Sequence, residues 1–184
     1  MAKVKMYTRL GGFMMLIIVC LFACKTEVVF DFDEELAADI AEIESFLEKN
    51  NIDALIHESS ARYTLVEGGT GEIPLPGDTV AYLFKTWLLD STLLETNHKE
   101  YENLAGTLNW YIADTLRGAL PPYQYTFPPI LSLAVSLTPE EGIVRTFLPS
   151  YLAYGLEGRP WASIPIQPNS PVMVEIQLLE LRRQ

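Results

Sequence analysis

The sequence predicts an α+β chain in which an antiparallel sheet packs on a short helix. Three observations carry that prediction. From Ala61 onward the chain is built of short β-type runs separated by glycine- and proline-containing turns. Its last run, VMVEIQLLEL, sets Val172, Val174, Ile176 and Leu178 against Met173, Glu175, Gln177 and Leu179, the period of two that makes one strand face wholly apolar. Helical patterns are few by comparison: an acidic amphipathic stretch ahead of Ala61, with the short apolar run ILSLAVSL, Ile130 to Leu137, open to either reading.

The first twenty-three residues differ from the rest. Lys3, Lys5 and Arg9 precede the uncharged run LGGFMMLIIVCLFA, and no acid occurs before Glu27. A spanning helix needs roughly 20 apolar residues, so this shorter run reads as a signal sequence for residues 1–23. It ends in LFAC, a small residue directly before Cys24, which looks like the lipobox of bacterial lipoproteins; Cys24 is then the lipidated residue. An ordinary signal peptide whose apolar core holds both cysteines is the alternative. Removal of residues 1–23 also removes Cys20, so one cysteine remains and no internal disulfide can form. Taking away three cations of the 13 leaves 10 against 24 acids, a net charge of −14. Nucleic acid is excluded as a partner, because phosphate binding needs a basic face.

Residues 24–60 are expected to form a tether and a helix. In DEELAADIAEIESFLEKNN, Leu36, Ile40, Ile43 and Leu47 follow helical spacing, with Ala37 and Phe46 beside them. Asp33, Glu34 and Glu35 favour the positive end of the helix dipole, and Asn50 and Asn51 offer a stop. The apolar stripe lasts under three heptads, which favours packing on the chain's own domain or spacing it from a membrane over a helix-mediated dimer.

The composition change near Ala61 places a domain at 61–184, expected to fold without the helix. ARYTLVE, VAYLFKTWLL, TLNWYIAD and VMVEIQLLEL read as strands, GGTG (Gly68 to Gly71) as a turn, and ILSLAVSL as either a helix or a buried strand. Reactive groups are scarce. His57 and His98 are the two histidines, on different segments, so neither a metal site nor a Cys/His nucleophile has support and no cofactor is called for. GGTG lacks the strand-to-helix context and lysine of a phosphate loop. Asp90 and Glu95, close enough to share a loop, read as surface acids. What remains suits chemistry that needs an apolar pocket rather than a nucleophile.

GTGEIPLPGDTVAYLFKTWLLDSTLLETN, Gly69 to Asn97, and EGIVRTFLPSYLAYGLEGRPWASIPIQPNSPVMVEIQLLEL, Glu141 to Leu181, resemble the opening strands and closing half of an FKBP-type peptidyl-prolyl cis-trans isomerase domain. The ordered motifs are GTG, PGDTV, LLDST, LPSYLAYG and the segment of Ile166, Pro168, Asn169 and Ser170. The lipobox and acidic helix are similar to lipid-anchored bacterial members, some of them associated with gliding motility. The resemblance implies an FKBP-like sheet wrapped on a short helix and a partner in the proline-containing segments of exported proteins. The reaction it implies is rotation about the X-Pro amide, whose barrier of roughly 18–20 kcal/mol comes from C–N double-bond character. An apolar pocket disfavours the polar planar amide relative to the twisted transition state, and a thousandfold acceleration requires about 4 kcal/mol.

Residue by residue, the resemblance assigns Tyr154 the family tyrosine that donates to a substrate carbonyl. Phe84 stands where the family usually has tyrosine, Leu94 where it has phenylalanine and Glu95 where it has aspartate. Phe127 falls at the position whose backbone N–H grips ligand. Ile130 replaces the aromatic floor, Ile166 and Val174 are apolar walls with Val174 again in an aromatic's place, and Trp161 either partly refills the pocket or is a surface aromatic. Such a pocket is wider than the family's, so a weak isomerase, a proline-binding chaperone and a scaffold lipoprotein of the envelope stand beside an efficient enzyme. Between Glu95 and Thr126 the chain is longer than a minimal family domain, which implies an insertion near the pocket rim.

Overall fold

A computed structural model describes residues 30–75, 77–98, 110–112 and 129–183 of the chain. The expected signal sequence, Cys24, Phe127 and most of the expected insertion lie outside the described residues. Seven strands form one antiparallel sheet: β1 Leu55–Ile56, β2 Arg62–Glu67, β3 Thr79–Leu88, β4 Leu93–Thr96, β5 Trp110–Ile112, β6 Ile143–Leu148 and β7 Val172–Arg182. Their order is β1-β2-β6-β7-β3-β4, and β5 pairs with β3 on the edge that β4 also uses. The apolar alternation of the last run thus produces the central strand, which pairs with β3 from Val172–Leu88 to Arg182–Thr79 and with β6 from Leu148 to Ile143.

The two faces of β7 meet two different helices. Val172, Val174, Ile176 and Leu178 point into the main core, where they pack with Val80, Tyr82, Leu148 and Ile166. This face is covered by α2, Pro129–Leu137, through Ile130, Leu131, Ala134 and Val135. ILSLAVSL therefore resolves as helix: proline opens it, where a missing N–H is harmless, and the Thr138 hydroxyl donates to the Ala134 carbonyl at 2.7 Å at its end. Fully burying each large aliphatic side chain contributes about 1.5–3 kcal/mol, so this face carries most of the fold's hydrophobic stabilisation.

The other face holds a cross-strand row, Arg62, Phe147, Met173 and Trp87 on β2, β6, β7 and β3. It is covered by α1, Phe32–Lys49, whose Ile43 and Leu47 are buried against Phe147, Met173 and Leu89. The expected acidic first turn and the asparagine stop are both present: Asn50 Nδ2 donates to the Phe46 carbonyl at 2.7 Å and Asn51 adopts φ 53°. Two features differ from the sequence reading. Leu36 and Ile40 are only half-buried, whereas Asp39 is buried, because this half of α1 meets the 3-10 turn Ser150–Leu152 rather than the sheet. Asp39 Oδ2 accepts the Ser150 N–H at 2.8 Å and its hydroxyl at 2.6 Å. Packing, moreover, does not divide at residue 60: Phe32–Gln184 is one compact unit, and the Ile43 and Leu47 half of the helical stripe lies against the chain's own sheet.

Turn chemistry follows the sequence at GGTG. A Cβ on Gly69 would lie 1.9 Å from the Glu140 carbonyl oxygen, so a glycine is required where this turn crosses the loop before β6. Among the described residues no helix is long and apolar enough to cross a membrane, and no group of His, Cys, Asp and Glu is placed to hold a metal ion.

Candidate functional site

The site is assembled where three elements converge at one level of the sheet. On β3, Thr86 pairs with Glu95 of β4 on one side and Val174 of β7 on the other. Directly cross-strand residues share a face, so Glu95 stands on the same side of the sheet as the main core. A register shift between Thr86 and Trp87 lets the consecutive residues Leu94 and Glu95 both reach the pocket. This corrects the sequence expectation for Glu95: it does not share the loop of Asp90 but sits on an edge strand. Asn97 fastens that strand, accepting the Phe84 N–H at 2.7 Å and donating to the Tyr82 carbonyl at 3.1 Å.

The third element is the segment after β6. The 3-10 turn leads to Tyr154, and the chain then makes a loop closed at its base by the Asn169 N–H donating to the Gly155 carbonyl at 3.0 Å. A cavity of about 440 Å³ opens between this loop and β4, lined by Leu94, Glu95, Arg159, Trp161, Ala162, Ser163, Ile164 and Ile166. Ile166 is buried and forms an apolar wall; Trp161 is 73% exposed, an aromatic with most of its surface open to solvent.

Of the residues singled out from sequence, Leu94, Glu95, Trp161 and Ile166 line the cavity. Ile130 and Val174 are buried in the core cluster behind it, with Phe84 and Tyr154 packed against that cluster. Phe84 stacks in a tilted arrangement on Tyr82, with ring centroids 6.1 Å apart. Five residues escaped sequence reasoning. Arg159 places its guanidinium 5.5 Å from the centroid of the Tyr154 ring and its Nη1 2.5 Å from Glu95 Oε1. Thr86 is fully buried, with its hydroxyl donating to the Glu95 carbonyl at 3.4 Å. Ala162 to Ile164 supply the far rim. The one local signal for the loop was its pair of glycines, both of which take positive φ, Gly155 at 60° and Gly158 at 58°.

The Tyr154 hydroxyl is buried and makes no hydrogen bond of normal geometry among the described residues. Burial pushes its pKa above the ordinary tyrosine value, the Glu95 carboxylate pushes the same way, and the nearby Arg159 guanidinium and Thr86 hydroxyl pull back more weakly. The phenol therefore stays protonated and is a donor. Burial alone would lower the Arg159 pKa, but its hydrogen bond to Glu95 and that residue's charge outweigh burial and raise it. Chemically the arrangement offers a neutral phenol packed on the core behind the cavity, a charged pair at the rim and the Ser163 hydroxyl in the lining.

No family model matches the chain. In sequence it is similar to the FKBP-type peptidyl-prolyl cis-trans isomerase FkpA of Escherichia coli K12, with 28% identity over 120 residues that make up 65% of this chain and 37% of that protein. The chain thus spans little more than a third of that relative's length. In structure it is similar to the crystal structure of FkpA from Escherichia coli, with a TM-score of 0.57 and 21% identity over 82% of this chain and 62% of that one. It is also similar to a peptidyl-prolyl cis-trans isomerase of Pseudomonas syringae pv. tomato, with a TM-score of 0.56 and 19% identity over 85% of this chain and 99% of the other. The fold is that of the FKBP-type peptidyl-prolyl cis-trans isomerases, and 120 of the chain's residues align with a member of that family.

Proposed function

We propose that the chain is a peptidyl-prolyl cis-trans isomerase that turns over X-Pro bonds of exported proteins, held in the bacterial envelope by a lipid on Cys24. The observation that carries the enzymatic reading is the buried Tyr154 hydroxyl, which makes no hydrogen bond of normal geometry among the described residues and lies under Arg159 at the rim of a cavity walled in part by Leu94, Ile164 and Ile166. A buried donor without an acceptor costs about 1–3 kcal/mol, a penalty removed when a substrate carbonyl enters and accepts from it. Held there, the X-Pro segment exchanges water for Ile166, Leu94 and Ile164, an environment that disfavours the dipolar planar amide and favours the twisted state. No covalent step and no cofactor is needed; the chain's contribution is orientation, one hydrogen bond and exclusion of water.

The replacement of family aromatics by Leu94, Ile130 and Val174 supports a second reading, a chaperone that holds proline-containing segments without accelerating them. Exchange spectroscopy or a protease-coupled assay on short neutral X-Pro peptides separates the two: measurable but modest acceleration is expected, and none at high enzyme concentration refutes the enzyme. For the anchor, LFAC after a short apolar run supports diacylation of Cys24, with the outer membrane the favoured site because Lys25 offers no retention signal. Two acyl chains make such attachment stable, at about 0.8 kcal/mol per buried methylene. A Cys24→Ser variant should lose its fatty-acid label and leave the membrane fraction; retention of both would defeat this assignment.

A further inference from the structure

Arg159 is the most firmly mounted charge at the pocket mouth. Its N–H donates to the Ile166 carbonyl at 2.9 Å and its carbonyl accepts the Ile166 N–H at 3.2 Å, an antiparallel rung across the loop. Gly158, directly before it, has φ 58°, and a Cβ there would lie 2.4 Å from the Ile166 carbonyl oxygen, so a glycine is what lets the rung close. From this pinned backbone the guanidinium reaches over the Tyr154 ring and pairs with Glu95 on β4, crossing the mouth of the cavity. A substrate carbonyl bound for the Tyr154 hydroxyl must pass beside it. The two side chains are 39% and 43% exposed, and an ion pair so open to solvent is held together by a factor of only about one to five.

Resting on the isomerase reading of this pocket, we propose that Arg159 is a specificity-determining residue: it exchanges its Glu95 partner for a carboxylate on the residue preceding the substrate proline, so that acidic X-Pro segments are preferred. The asymmetry between the two charges decides the sign. Arg159 is fixed by the rung and by the Tyr154 ring and stays where the substrate docks. Glu95, on a strand at the sheet edge, can turn into water when released. An incoming carboxylate gives the guanidinium a new planar partner. An incoming ammonium would take Glu95 and leave Arg159 unpaired over an aromatic ring beside a second cation.

The test compares X-Pro peptides with Glu, Gln or Lys before proline, on the full chain. Wild type should favour Glu over Gln by roughly threefold in kcat/KM, the size an exposed ion pair supports, disfavour Lys, and lose the preference at high salt. Arg159→Gln should bring the Glu-to-Gln ratio to about one, Glu95→Gln should keep or raise it, and Arg182→Gln, a charge change on the far end of β7, should leave it unaltered. A wild-type ratio of one, a ratio that survives Arg159→Gln, or its loss in Glu95→Gln overturns the proposal. Calorimetric titration with the same peptides separates this proposal from the isomerase reading. If neutral peptides are not isomerised yet Glu peptides bind more tightly than Gln peptides, the enzyme reading fails and the selectivity stands; if neither peptide binds, both fail.

Discussion

Asp39→Ala tests whether a buried carboxylate fastens α1 to the turn that presents Tyr154. Asp39 is 3% exposed, and its Oδ2 accepts both the N–H and the hydroxyl of Ser150, itself 3% exposed. A hydrogen bond to a charged group contributes about 1.5–3 kcal/mol net. Two bonds sharing one oxygen and one partner residue are not additive, so removing the carboxylate is expected to cost about 3 kcal/mol, mostly through the two Ser150 donors left buried without an acceptor. For a chain of this length each kcal/mol lowers Tm by about 2–4 °C, which gives a drop of about 6–12 °C. Thermal unfolding of the full chain by circular dichroism and calorimetry measures it. Ser150→Ala keeps the N–H bond and should cost about half as much, and the double variant should fall little below Asp39→Ala alone. A change in Tm under about 2 °C for Asp39→Ala would refute the reasoning, because Ser150 would then be finding water as readily as the carboxylate.

Deleting α1 through Asn50 strips Ile43 and Leu47 from Phe147 and Met173, and at about 1.5–3 kcal/mol per buried side chain it should abolish the cooperative thermal transition; a truncated protein melting near wild type would show the sheet needs no cover on that face. Tyr154→Phe should lower kcat/KM about threefold to tenfold while leaving Tm equal or higher, since the hydroxyl removed makes no hydrogen bond of normal geometry in the resting site. The same tyrosine gives a pH prediction. Its pKa is raised in the folded state above the ordinary value of 10.0, so the folded chain binds the proton more tightly than the unfolded one. That contribution is fully present below pH 10 and is lost as pH rises through the folded value. Unfolding free energy should therefore fall more steeply above pH 10 in wild type than in Tyr154→Phe, and identical slopes in denaturant titrations would argue against it.

How far the sequence reveals this molecule depends on whether a signal is local. β7 and the stops of α1 were legible because a period of two along one strand and a pair of asparagines after a helical stripe each act within a few residues. Tyr154, Leu94 and Ile166 were reachable through a resemblance spread over ordered motifs. Asp39, Thr86, Arg159 and the strand placement of Glu95 were not, and each for the same physical reason. Asp39 belongs to a run of acids that reads as a solvated face; only its partner, 111 residues away, makes it a buried acceptor. Glu95 follows a turn and reads as a loop acid until the Thr86–Glu95 register puts it on the core side of the sheet. Arg159 meets Glu95 across 64 residues, and its mounting depends on one rung to Ile166 that exists because Gly158 lacks a Cβ. Polar groups in this fold acquire their roles from cross-strand register and loop closure rather than from neighbours in sequence, so a pocket built on a shared fold can carry a rim of its own. Under the proposed function that rim is where substrates would be told apart, since Leu94 and Ile166 offer apolar surface without charge while opening the Arg159–Glu95 pair favours a group of matching charge.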